Sequence, residues 1–130
     1  MLIYFAGPVD FGGGDLEGRK RFFDAITDMG HVIYDATSSL HCRPDRMDAA
    51  AANVAMDVHM TVLRHSDAFV AEFPSQTVGI AAELYEAHKH MPTAFKAALV
   101  AKDAPQSLYL MGMCDLVTDT WDDIIESFTE

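Results

Sequence analysis

Asp67-Ala68-Phe69-Val70-Ala71-Glu72-Phe73, then the loop Pro74–Gly79, then Ile80-Ala81-Ala82-Glu83-Leu84 and onward to His90: a β-forming run, a polar turn and a stretch with helical spacing stand in that order. The same alternation repeats on both sides. β-rich runs occur at Leu2–Ala6, His31–Asp35, Thr93–Val100 and Asp115–Thr118. Between them lie helical stretches. Asp15 can cap the first, Gly30 suits its end, and Leu16, Phe22, Phe23 and Ile26 form its expected core stripe. A second runs from Met47 to His65, and Asp122–Phe128 closes the chain. Thr93–Val100 has the least local support, because Ala94, Ala97 and Ala98 are poor strand formers. Strand–helix alternation of this kind specifies α/β architecture, a parallel sheet with helices on both faces and right-handed crossovers. In a flavodoxin-like (Rossmann-like) order of five strands, 2-1-3-4-5, the switch point falls between the first and third strands. The loops Gly7–Gly14 and Pro74–Gly79 are then expected to meet there and form the site.

Composition bounds the partners. The 130 residues are half hydrophobic and 22% charged, the balance of a single globular domain spanning 1–130. Twenty acidic against nine basic residues give a net charge of −11, which repels a phosphate backbone and argues against a nucleic-acid polymer as partner. The two cysteines, Cys42 and Cys114, have no metal-ligand spacing and read as reduced thiols of a cytoplasmic protein. No apolar run reaches the ~20 residues of a membrane span, and the N-terminus lacks the basic region of a signal peptide. His41-Cys42 and His88-x-His90 lack a partner motif, and residues two apart do not share a helix face. No metal and no cofactor is expected.

Glu83 is the most informative residue. It follows the switch-point loop on a helix whose small residues Gly79, Ala81 and Ala82 would let a ligand approach the backbone. An acidic residue near a helix start also simply complements the helix dipole. Tyr4, central in the first strand, could orient a nucleophilic carboxylate, or be a core aromatic with a satisfied hydroxyl. On the second helix Ala51, Val54, Ala55, Val58 and Val62 define an apolar face. His59 lies roughly 80° from its centre and Asp57 roughly 120° away on the other side. His59 is therefore expected on the rim of the core and Asp57 toward solvent. Gly12-Gly13-Gly14 matches neither phosphate-loop pattern and reads as a flexible loop.

Four segments together resemble the nucleoside 2-deoxyribosyltransferase superfamily, including its 2'-deoxynucleoside 5'-phosphate N-hydrolase branch. They are Ile3-Tyr4-Phe5-Ala6-Gly7, Ser66 to Glu72, Gly79 to Leu84, and Ser107-Leu108-Tyr109-Leu110-Met111-Gly112. The resemblance implies cleavage or transfer at the N-glycosidic bond of 2'-deoxynucleosides, or of their 5'-monophosphates, through a glycosyl-enzyme intermediate on Glu83. It implies that Tyr4 holds Glu83, that Gly7, Asp10, Thr77, Gly79 and Ser107 contact the substrate, and that Ser107 reaches a neighbouring subunit's site in a homodimer or larger assembly. Three positions depart from the family pattern. His59 stands where a carboxylate assists the departing base; a histidine can serve as general acid near neutral pH. Pro8 and Asp10 replace the hydroxyl and basic residue that hold a 5'-phosphate, so a nucleoside fits better than a nucleotide. Thr77 replaces a Ser or Asp. These departures keep open a second reading, a non-catalytic nucleoside- or nucleotide-binding protein on the same fold. A third, an acidic interaction module, does not account for the clustering of matched residues at the switch point.

Overall fold

The computed structural model describes residues 1–8, 14–37, 48–73, 78–103 and 107–129. Five parallel strands, β1 (Leu2–Ala6), β2 (Val32–Asp35), β3 (Ala68–Glu72), β4 (Phe95–Leu99) and β5 (Leu116–Thr118), form one sheet in the order β2-β1-β3-β4-β5. The connections carry α1 (Leu16–Asp28), α2 (Ala49–Arg64), α3 (Val78–His90) and α4 (Leu108–Met113), and α5 (Trp121–Ser127) follows the last strand. The flavodoxin-like order expected from the sequence is the one observed.

Side chains alternate across each strand, and the two faces hold two cores. Ile3 and Phe5 of β1, Ala68 and Val70 of β3, and Ala97 and Leu99 of β4 pack against α1 and α5. Tyr4 and Ala6, with Phe69 and Ala71, face the layer that holds α2, α3 and α4. The alanines of β4 are tolerated because both faces of this inner strand are covered: Ala97 and Ala98 are fully buried.

Local signals set the helix ends. The Asp15 carboxylate accepts from Gly18 N at 3.0 Å to cap α1, and Gly30 ends its turn at φ +92°. The core stripe of α1 is Gly18, Arg19, Phe22 and Ile26 rather than one that includes Leu16, which is 61% exposed. At 100° per residue Leu16 falls roughly 100° from the centre of that stripe, and Gly18 takes the inward place. A methyl group at Gly18 would run into the Trp121 indole, so the missing side chain lets α5 dock. The six-residue α4, capped by Ser107, is too short to show a helical period in sequence.

The α1 face also buries an ion pair. Arg19 Nη2 lies 2.9 Å from Glu72 Oε1, and the two residues are 7% and 5% exposed. Glu72 Oε2 accepts from the Asp15 amide at 2.7 Å, and Arg19 donates to Thr37 Oγ1 and the Pro8 carbonyl while lying over the Phe5 ring. One buried cation thus ties together the carboxyl ends of β1, β2 and β3. Removing one member leaves the other charged and buried, so Glu72→Gln is expected to lower the unfolding free energy by about 3–5 kcal/mol. Asp24→Asn, which breaks the solvent-exposed Lys20–Asp24 pair, is expected to change it by no more than about 0.5 kcal/mol. Urea unfolding of both variants measures the contrast.

Candidate functional site

Three sequence-singled residues converge on the face that holds α2 and α3. Tyr4 is fully buried at the middle of β1. Its ring stacks on Phe69 at 5.8 Å and 9°, and lies 5.5 Å from Tyr34, its register partner on β2. The hydroxyl donates to Glu83 Oε2 at 2.5 Å and sits 3.3 Å from His59 Nδ1.

Glu83 reaches this position because Ile80, Leu84 and Ala87 clamp α3 to the sheet, and 3.6-residue spacing puts residue 83 on the flank of that buried face. The first turn of α3 holds no acidic residue; Glu83 lies beyond it, which removes the helix-dipole account of its place. Burial of the carboxylate pushes its pKa up to about 7, against a smaller lowering by the Tyr4 hydrogen bond.

The apolar stripe read for α2 is not its buried stripe. Ala51 is exposed, as are Val54 at 58% and Val58 at 39%, while Ala55 and Leu63 are buried and His59, Met60 and Val62 half-buried. The buried face is turned roughly 70° from the expected one, toward His59. His59 therefore faces the sheet near the centre of the packed surface rather than at its rim. The larger Leu63 and Met60 bury more apolar area than the alanines and valines they displace. Asp57 is exposed, as expected.

The remaining positions are more scattered. Gly79 is exposed, with open space where a side chain would stand, and Ala81 and Ala82 beside it are exposed too. Gly7 has a packing reason to be glycine: a Cβ there would stand 2.9 Å from Cε1 of the Phe5 ring, on the α1 side. Ser107 accepts from Leu110 N at 3.4 Å as the cap of α4. Asp10 and Thr77, like most of the two site loops, lie outside the described residues. Tyr34 was not singled out from sequence, yet its ring meets His59 edge-on at 5.9 Å and 90°. The signal was there, since alternation along a parallel neighbour puts Tyr34 on the same face as Tyr4. Cys114 is not an activated nucleophile, because burial and Asp115 push its thiol up to about 11. No described helix is long and apolar enough to cross a membrane.

No family model and no curated protein sequence matches the chain. Solved structures do. A 2-deoxyribosyltransferase from Bacillus psychrosaccharolyticus superposes with a TM-score of 0.72 at 11% identity, covering 96% of this chain and 90% of the other. The CMP N-glycosidase BcmB of Clostridium botulinum gives 0.67 at 8% identity over the whole of both chains. A conserved protein from Enterococcus faecalis gives 0.68 at 20% identity, over 96% and 94%. The chain has the fold of these proteins, and two of the three are a nucleoside-directed transferase and a nucleotide-directed glycosidase.

The buried carboxyl has a consequence for stability. The folded state holds the Glu83 proton more tightly than the unfolded chain, whose value is near 4.5. Between about pH 4.5 and about 7 the unfolded state therefore binds fewer protons. This group makes stability fall as pH rises through that window, by up to about 1.4 kcal/mol per pH unit. Glu83→Gln removes that fall. The variant is expected to gain stability over the wild type as pH is raised from about 5 to about 8, read from urea midpoints at the two pH values.

Proposed function

We propose that the protein cleaves or transfers the N-glycosidic bond of 2'-deoxynucleosides, with Glu83 as the nucleophile and His59 as the acid. The observation that carries this reading is the Tyr4–Glu83–His59 constellation, a carboxylate oriented by a buried phenol with an imidazole beside it. The fold it stands on is also that of a deoxyribosyltransferase and a CMP N-glycosidase. In the first half-reaction the Glu83 carboxylate bonds to C1', the C1'–N bond breaks, and the His59 imidazolium gives a proton to the departing base. In the second, water or an acceptor base attacks C1', the Glu83 ester bond breaks, and neutral His59 takes the proton released. A carboxylate suits the oxocarbenium-like centre of both steps. Burial of Glu83 keeps the resting carboxylate poorly solvated and therefore reactive. The net charge of −11, with Pro8 and Asp10 after β1, favours an uncharged nucleoside over its 5'-monophosphate. Gly7 and Gly79, with Asp10 and Thr77 outside the described residues, are the proposed substrate-binding positions.

The same reading includes a second copy of the chain. Val54, Met56 and Val58 on α2, Tyr85 on α3, and Leu108, Tyr109 and Met111 on α4 are all exposed, in the helical layer that covers the Tyr4 face. Leu110 and Met113 of the same helix turn inward against the core. Two chains of charge −11 repel each other over most of their surfaces, so an uncharged face is where they could meet. Ser107 stands at the edge of this face and would reach the partner's crevice.

Two measurements test these statements. Deoxynucleosides and their 5'-monophosphates are incubated with and without a free acceptor base, and released or exchanged base is followed by chromatography. Glu83→Ala is expected to abolish turnover, His59→Ala to lower it by about 10²–10⁴-fold, and Asp57→Ala to leave it nearly unchanged. An inert wild type that still binds nucleosides would replace this reading with the binding-protein one. For the assembly, light scattering is expected to give a dimer or larger species that Tyr109→Glu converts to monomer.

A further inference from the structure

Strand β2 stands at the edge of the sheet, with β1 on one side only. An edge leaves a row of backbone groups to find partners of their own. Val32 N donates to the Met1 carbonyl at 2.9 Å and Ala36 N to the Phe5 carbonyl at 3.1 Å. In a parallel ladder the direction of these groups alternates, so Val32, Tyr34 and Ala36 pair with β1 and Ile33 points away. Among the described residues, nothing bonds to the outward N–H and C=O of Ile33. The neighbouring His31 N is already taken by the Ile26 carbonyl at 3.2 Å, and the Asp35 carboxylate accepts from Thr37. Ile33 thus offers one donor and one acceptor, side by side.

These groups border a cavity. About 340 Å³ of space opens between α1 and the edge of β2, lined by Phe23, Thr27, His31, Val32, Ile33 and Asp35. Phe23 and Ile33 pack on the core beneath α1, whereas Tyr4 belongs to the core on the other face. The sheet therefore separates this cavity from the Tyr4–Glu83 pair. The Phe23 ring is held edge-on by Phe5, at 5.0 Å and 86°, and gives the cavity a fixed aromatic wall. Its volume lies at the small end of the range for ligand sites. No lysine or arginine stands among the lining residues.

We propose that this cavity binds a small, uncharged planar heterocycle, whose adjacent donor and acceptor pair with the C=O and N–H of Ile33 and whose ring lies against Phe23. The backbone pair selects an amide- or amidine-like edge, which presents the matching groups side by side. The aromatic wall and the small volume select a flat ring over a flexible chain. A peptide added as a strand would need a longer run of open backbone than the His31 end of β2 provides. A nucleotide would bring a phosphate to a cavity without a lining cation, on a chain of net charge −11. A free nucleobase has the required chemistry. It is held without bond making or breaking, at a place separate from the crevice, and its binding does not rest on the proposed function.

Amide ¹H–¹⁵N spectra of the full chain, titrated with adenine, with cytosine and with cytidine 5'-monophosphate as the charged control, test this. The expected result is saturable shifts at Thr27, Val32 and Ile33 with the free bases and not with the monophosphate. Ile33→Pro removes the outward N–H and leaves the ladder to β1 intact, a place where an edge strand tolerates proline. It is expected to weaken binding by up to about tenfold. Thr27→Trp, at an exposed helix position, fills the cavity and is expected to abolish the shifts. Either variant suffices if the other does not fold. Shifts confined to α3 around Gly79 and Glu83 would put the base in the crevice alone and overturn the proposal. So would the absence of shifts, equal binding of the monophosphate, or shifts that persist in both folded variants. Concentration-dependent shifts of the same amides without any base would show a second copy on this edge instead. Turnover is measured separately, so the two readings fail separately: an inert protein can fill this cavity, and an active one can leave it empty.

Discussion

A phenol hydroxyl buried at the middle of the sheet has to find a hydrogen-bond partner, and that requirement organises one side of this molecule. Tyr4 has no access to solvent, so an unpaired hydroxyl there would carry a desolvation penalty with nothing to offset it. Its proton goes to Glu83, which draws a carboxylate to the buried flank of α3, where no lysine or arginine neutralises it among the described contacts. Burial then holds the Glu83 carboxyl at about 7 instead of 4.5. The fold gives up stability at neutral pH for a group that is only partly ionised there.

Alternation along two central strands separates the Tyr4–Glu83 arrangement from a second buried polar one. On β1, Tyr4 faces α2 and α3 while Phe5 faces α1, where Arg19 lies over its ring at 5.3 Å. On β3, Phe69 stacks under Tyr4 while Glu72 pairs with Arg19. The two carboxylates thus sit on opposite faces with different partners. Glu72 has a guanidinium and a backbone amide and serves as a tie between strand ends. Glu83 has the Tyr4 phenol. The Arg19–Glu72 tie fixes strand ends on the α1 face, while the Tyr4–Glu83 pair stands on the other.

How much of this was legible in the sequence varies with the physics behind each element. The strands, their order and the capping of α1 were legible because alternation, Asp15 and Gly30 are local signals. The meeting of Tyr4 with Glu83 followed from topology, since β1 and β3 are neighbours in the 2-1-3-4-5 order. The face of α2 was misjudged because hydrophobicity alone cannot tell a core stripe from an apolar surface. Val54, Met56 and Val58 are as apolar as core residues and stand in solvent. Arg19 and Glu72 were passed over because a charged residue at an inward helix position reads as exposed until its partner, fifty-three residues away, is known. The substitution of His59 for a carboxylate was legible as a departure, but its hydrogen bond to Tyr4 was not, since pairing between β1 and α2 depends on the rotation of α2.

That departure follows a constraint of proton supply. The Tyr4 hydroxyl can satisfy one anion, and Glu83 already takes its proton. A second carboxylate at the position of the His59 ring would face the phenol oxygen with no proton to receive and would raise the Glu83 pKa further through like-charge repulsion. An imidazole avoids both conflicts. In its protonated form it carries an N–H that can face the Tyr4 oxygen, and its charge lowers the energy of the Glu83 carboxylate rather than raising it. An imidazole at this place is therefore compatible with both the buried Tyr4 hydroxyl and the Glu83 carboxyl. The buried face of α2 turns toward the His59 ring, Tyr34 packs against it, and its Nδ1 lies 3.3 Å from the phenol oxygen.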